Sequence, residues 1–119
     1  MAVWTLRVSN LTPHDVIENL TRISKDIDAT TDDITRLDEE AVRARVAQKK
    51  AYARAFLSVE GSMDIRRYTA ELATIDTLLE SELADQKHRA AVTAIKALRD
   101  RLEVGRSLGP LIRLEWGQS

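Results

Sequence analysis

From residue 16 to residue 55 the chain repeats in sevens, and that repeat limits what it can fold into more than any other feature. Val16, Ile23, Thr30, Leu37, Ala44 and Ala51 occupy one heptad position, and Leu20, Ile27, Ile34, Ala41, Gln48 and Ala55 the other. Residues at alternating three- and four-residue steps form one stripe of an α-helix and need a facing helix to cover them. Neither proline nor glycine interrupts residues 14–60, so the spacing predicts a first helix over 12–57, roughly 65 Å long if straight at ~1.5 Å per residue. Thr12 suits its N-cap, Pro13 its first turn, and Asp15 its positive end. Large aliphatics fill the seam as far as Leu37 and alanines follow, which lets a partner helix come close. Val42 and Val46 lie off the stripe, so the second half buries or offers a wider face.

Residues 58–62 break the repeat. Gly61 suits the left-handed position that closes a helix, and Ser62 suits the next N-cap. A connection this short folds the following helix back on the first. That helix is expected over 63–108, with Ile65, Leu72, Ile75, Leu79, Leu83, Ala90 or Ala91, Ala94 or Ile95, Leu98 and Leu102 facing inward. Its spacing drifts at residues 86–89, where a kink or a stutter is expected. Gly109 and Pro110 end or bend it, leaving a tail over 109–119. Residues 3–8 of the leader (1–11) alternate like a strand, and so do residues 111–116. The fold-back returns both ends to one place, so the two segments either pair as a ribbon carrying Trp4 and Trp116 or the second adds further helical turns. The expected fold class is therefore all-α: one domain, a long antiparallel helical hairpin of coiled-coil type, with a short terminal β-ribbon as an option.

Composition agrees. Charged residues make up 31% of the chain, against two tryptophans, two tyrosines and one phenylalanine, which suits a narrow helix–helix seam better than a thick core. A 44% hydrophobic chain arranged as two slender helices leaves apolar stripes uncovered, so a homodimer or higher bundle is expected, with Val42, Val46, Trp4 and Trp116 as contact candidates. The net charge of −1 gives the whole molecule no attraction for nucleic acid or anionic lipid. No apolar run approaches a membrane span, residues 1–10 lack the apolar core of a signal peptide, and cysteine is absent; the cytoplasm is the expected location.

Charge is nevertheless uneven. With a fold-back centred on residues 60 and 61, residues whose numbers add to about 120 lie side by side. The acids Asp26, Asp28, Asp32, Asp33, Asp38, Glu39 and Glu40 then fall opposite residues 80–94, which include Lys87, His88 and Arg89. Arg43, Arg45, Lys49, Lys50 and Arg54 gather near Arg66 and Arg67 at the turn. These seven cations are the candidate contact for an anionic partner, a nucleic acid included, with Tyr52, Phe56 and Tyr68 near enough to stack bases. The same cations equally suit solvated helix faces.

Catalytic and cofactor signatures are missing. Two histidines and no cysteine make a structural zinc site improbable, and no phosphate loop, nucleophile elbow or Glu-x-x-His pair is present. No enzyme activity, cofactor or metal is expected.

Four blocks carry a resemblance: Leu37-Asp38-Glu39-Glu40-Ala41-Val42-Arg43, Ala51-Tyr52-Ala53-Arg54-Ala55-Phe56-Leu57, Glu60-Gly61-Ser62-Met63-Asp64-Ile65-Arg66, and Val104-Gly105-Arg106-Ser107-Leu108. Over roughly residues 12–115 the chain resembles small helical proteins encoded by tailed bacteriophages and prophages, notably of actinobacteria. It departs from them at Leu108-Gly109-Pro110 and in its leader. The resemblance implies a setting, intracellular and phage-encoded near early DNA-metabolism genes, rather than a reaction. The expected function is thus a non-catalytic interaction protein acting through helix-mediated assembly, as an accessory to phage DNA recombination or replication or as a binder of a host protein. A nucleic-acid binder using the basic tip and a virion or scaffold component are the alternatives.

Overall fold

The computed structural model describes residues 12–117, which form three helices: α1 (Pro13–Ser58), α2 (Met63–Ala73) and α3 (Ile75–Gly117). No strand occurs among the described residues. Residues 3–8 and Trp4 lie outside them. Helix α1 starts on a reciprocal cap. Thr12 Oγ1 accepts from the Asp15 amide at 3.1 Å, and Asp15 Oδ2 accepts from the Thr12 amide at 3.0 Å, satisfying two donors that a helix start otherwise leaves open. The fold-back falls where expected. Gly61 takes φ +130°, and Ser62 caps α2 by accepting from the Ile65 amide at 3.3 Å.

The contacts divide into two compact units. In the first, residues 12–31 of α1 pair with residues 93–117 of α3. The pair is antiparallel: a Cβ on Gly105 would meet Leu20, and one on Gly109 would meet Val16. Ile23, Ile95 and Ile112 are buried here, each stabilising by about 1.5–3 kcal/mol. Glycine makes room for the close approach, since a Cβ at Gly105 would lie 2.5 Å from Leu20 Cδ2. The second unit, Asp32–Val92, contains the rest of α1, the turn, α2 and the start of α3. Its buried residues are small: Ala41, Ala70 and Thr74.

Every heptad residue of α1 from Val16 to Ala55 is buried or half-buried, as the repeat requires. Four other expectations are corrected. First, residues 110–116 are helical, so of the two options for them the further helical turns hold, and the 109–119 tail gives way to an α3 that runs through Pro110 to Gly117. Proline removes one amide donor, but Pro110 is exposed and the buried Ile112 anchors the turn that follows. Second, α3 continues through residues 86–89; the interruption is at Thr74. The Thr74 hydroxyl donates to the Ala70 carbonyl at 2.8 Å, and its amide reaches Glu71 O instead, at 3.4 Å. Side chain competes with backbone for one acceptor and tightens that turn.

Third, the register differs. Leu20 faces Gly105 and Asp38 faces His88, where the expected centre would place residues 100 and 82. With the register set at Asp38–His88, the first residues of α2 lie beyond the end of α1. Fourth, Ile65, Leu72, Ile75, Leu79 and Leu83 point outward. The side facing α1 carries Ala70, Thr74, Thr77, Ser81 and Ala84 instead. An alanine seam on α1 brings the helices too close to admit a ladder of leucines. From residue 91 onward the expected inward residues Ala91, Ile95, Leu98 and Leu102 do face inward.

Candidate functional site

Two helix faces of the second unit concentrate the chemistry available for a partner. The first is the outer side of α1. Between residues 41 and 59 the chain carries Arg43, Arg45, Lys49, Lys50 and Arg54 and no carboxylate. All five are exposed. Arg43 is held by Glu39, one turn earlier, at 2.7 Å. The other four form no ion pair among the described residues. Val42 and Val46, 43% and 45% exposed, lie among these cations as the sequence suggests.

The two arginines of α2 behave differently. Arg67 pairs with Asp64 at 3.0 Å and lies 5.1 Å from the centre of the Tyr68 ring, so both its charge and its plane are engaged within its own helix. Arg66 is half-buried on the side that faces α1, with a buried Nε that has no hydrogen-bond partner. The seven-residue basic tip therefore resolves into an exposed cationic row on α1, Arg67 engaged within α2, and Arg66 half-buried against α1. Tyr52 and Phe56 stack on each other at 6.3 Å and are half-buried, which leaves Tyr68 as the exposed ring of the three.

The second face was missed by sequence reasoning. Ile65, Tyr68, Leu72, Ile75 and Leu79 are 53–72% exposed. Their steps of three, four, three and four residues trace a heptad stripe on the side of α2 and α3 that turns away from α1. Leu72 and Ile75, with Tyr68, Glu71 and Leu78, line a shallow apolar groove. Beyond Arg67, which stacks on Tyr68 at one end, the charges along it are acidic: residues 68–86 include Glu71, Asp76, Glu80, Glu82 and Asp85 and no lysine or arginine. Among the described residues, Asp85 pairs with Arg89 at 2.5 Å and the other four form no ion pair. The signal that could have found this face is its own three-four spacing, displaced from the small residues that oppose α1.

Elsewhere, ionisable groups do structural work. The Thr12 amide and hydroxyl hold the Asp15 carboxyl below its usual range, and hydrogen bonds to Glu40 and Asp33 keep Arg36 more firmly charged. His88, on the side facing α1, reaches Asp38 at 3.8 Å, so one of the expected meetings between the acidic stretch and residues 87–89 takes place. Trp116 is 51% exposed. Among the described residues no group of three or more histidines and acids is placed to hold a metal, and no helix is long and apolar enough to cross a membrane. No family model matches the chain, and no curated protein or solved structure matches it either.

Proposed function

We propose that this chain is a non-catalytic interaction protein that works by helix-mediated assembly with itself and with another protein, in the cytoplasm of a bacterial host. The observation that carries the reading is the division of labour in α2 and the start of α3. Small residues close the contact with α1, while Ile65, Tyr68, Leu72, Ile75 and Leu79 remain exposed at coiled-coil spacing. Monomeric proteins rarely leave such a contiguous apolar row uncovered. The resemblance to small phage-encoded helical proteins supplies the setting, and with it the partners to look for: phage recombination or replication proteins, a host protein, or a virion scaffold. The test is affinity capture from phage-infected host cells with the parent chain and with Leu72→Glu. A protein retained by the parent at high salt and lost with Leu72→Glu supports the reading. Identical retention by both removes it.

A second reading, a nucleic-acid binder, is favoured by Arg45, Lys49, Lys50 and Arg54, which are exposed on the outer half of α1 and form no ion pair among the described residues. Phosphate contacts lose affinity steeply with salt. Retention of single-stranded or duplex DNA that falls with salt and disappears in Arg45→Glu with Lys50→Glu would favour this reading. Arg66, half-buried against the first helix, is not a suitable site for such a reversal.

A further inference from the structure

The two faces of the second unit are complementary, and within one chain they do not pair. The outer side of α1 repeats at Val42, Val46, Lys49, Ala53 and Phe56, again in steps of four and three, flanked by Arg45 on one side and Arg43 and Lys50 on the other. The stripe on α2 and α3 has acids at its edges and, at Glu82, in its own row. No ion pair joins the cationic row to Glu71, Asp76, Glu80 or Glu82 among the described residues. Both rows sit at the same level of the unit. The Asp38–His88 contact and the fold-back at Gly61 set residues 42–56 alongside residues 70–84. The stripe turns away from α1 and the cationic row turns away from α2, so the two contacts repeat head to tail: with all turns at one end, the cationic row of one copy lies level with the acidic stripe of the next.

Resting on the assembly reading above, we propose that the stripe Ile65, Tyr68, Leu72, Ile75 and Leu79 is the seat for helix α1 of a second copy, presented through Val42, Val46 and Ala53. Charge decides between this arrangement and its rival. Stripe against stripe brings the acids of both copies into one surface, where like charges repel. Stripe against α1 sets a run of five acids against a run of five cations, which fixes partner and register together. Apolar contact supplies the affinity, and the flanking charges exclude the wrong pairing.

The test is a charge swap read by sedimentation of the full chain at graded micromolar concentrations. Variant one is Arg45→Glu with Lys50→Glu; variant two is Glu71→Lys with Glu82→Lys. All four positions are exposed, and circular dichroism checks that helix content is kept. The parent is expected to self-associate head to tail, with a mean mass that rises with concentration. Each variant alone is expected to dissociate with a Kd raised on the order of tenfold or more, and an equimolar mixture of the two to recover the parent's association. The neutral variants Arg45→Gln with Lys50→Gln and Glu71→Gln with Glu82→Gln serve if a reversal unfolds, each giving a smaller rise in Kd. A parent that self-associates while neither charge variant weakens it, or a mixture that fails to recover, overturns this seat. If Leu72→Glu still dissolves that assembly, helix-mediated assembly stands and only the partner face is wrong. A monomeric parent also overturns the seat. The assembly reading then falls with it only if capture from infected cells is indifferent to Leu72→Glu.

Discussion

The two units use opposite solutions to the problem of joining a pair of helices. In the first, isoleucines and leucines fill the seam, and Gly105 and Gly109 on α3 recede so that Leu20 and Val16 can enter. In the second, alanine meets alanine and threonine, the helices approach closely, and the bulky side chains of α2 and α3 are turned out. Burial per residue differs accordingly. A buried isoleucine removes far more apolar surface from water than a buried alanine, so the first unit is stabilised by its own seam. Both units leave bulky apolar side chains exposed, and in the second these form the continuous stripe of α2 and α3.

Substitutions that invert the two designs test the contrast. The largest effect is expected from Ile95→Ala, which empties a position only 6% exposed and should cost about 2–4 kcal/mol in denaturant unfolding. Next is Ala70→Leu, which forces a large side chain into the tightest point of the second unit, where Ala70 is fully buried. Overpacking there should cost about 1–3 kcal/mol. Leu72→Ala, a leucine lost from a 72% exposed position, should by contrast change the unfolding free energy of dilute protein by less than about 0.5 kcal/mol. If Leu72→Ala is as damaging as Ile95→Ala in the dilute monomer, the contrast between the units is false.

The smallest expected effect is electrostatic. Hydrogen bonds from the Thr12 amide and hydroxyl lower the Asp15 pKa from its ordinary 3.8. A carboxylate whose folded-state pKa is depressed stabilises the fold above the unfolded value and loses that contribution as pH falls through the folded one. The first turn of α1 should therefore fray only below pH 3.8. Asp15→Asn should remove the pH dependence, read from the Asp15 and Thr12 amide resonances. A first turn that frays on raising the pH would reverse the assignment.

Much of this was written into the sequence in plain form. The heptads of α1 predict its facing side residue by residue, because one period runs unbroken from Val16 to Ala55. Gly61 and Ser62 predict the fold-back through backbone conformation and capping, which are local. The second helix was harder because it carries two stripes. Hydrophobicity alone selects Ile65, Leu72, Ile75 and Leu79 as the inner one, yet the alanines already visible in α1 from Ala41 onward leave no room for them. The seam is a property of both helices, and each must be read against the other. The interruption at Thr74 depends on a side-chain hydroxyl competing for one carbonyl, a choice that spacing does not record. Pro110 misled for a related reason. A proline inside a helix costs on the order of 3 kcal/mol, and what offsets it is a buried residue two positions later, Ile112.

Cysteine pairing in the second unit tests the central claim, that small residues face α1 and the bulky row faces away, most directly. Ala44 and Ser81 are both half-buried on the facing sides of α1 and α3, whereas Leu79 is 55% exposed. In dilute oxidation, Ala44→Cys with Ser81→Cys should close a disulfide within one chain, and Ala44→Cys with Leu79→Cys should not. Efficient intrachain closure by the Leu79→Cys pair, with the Ser81→Cys pair left reduced, would make the bulky row the inner seam and contradict the account.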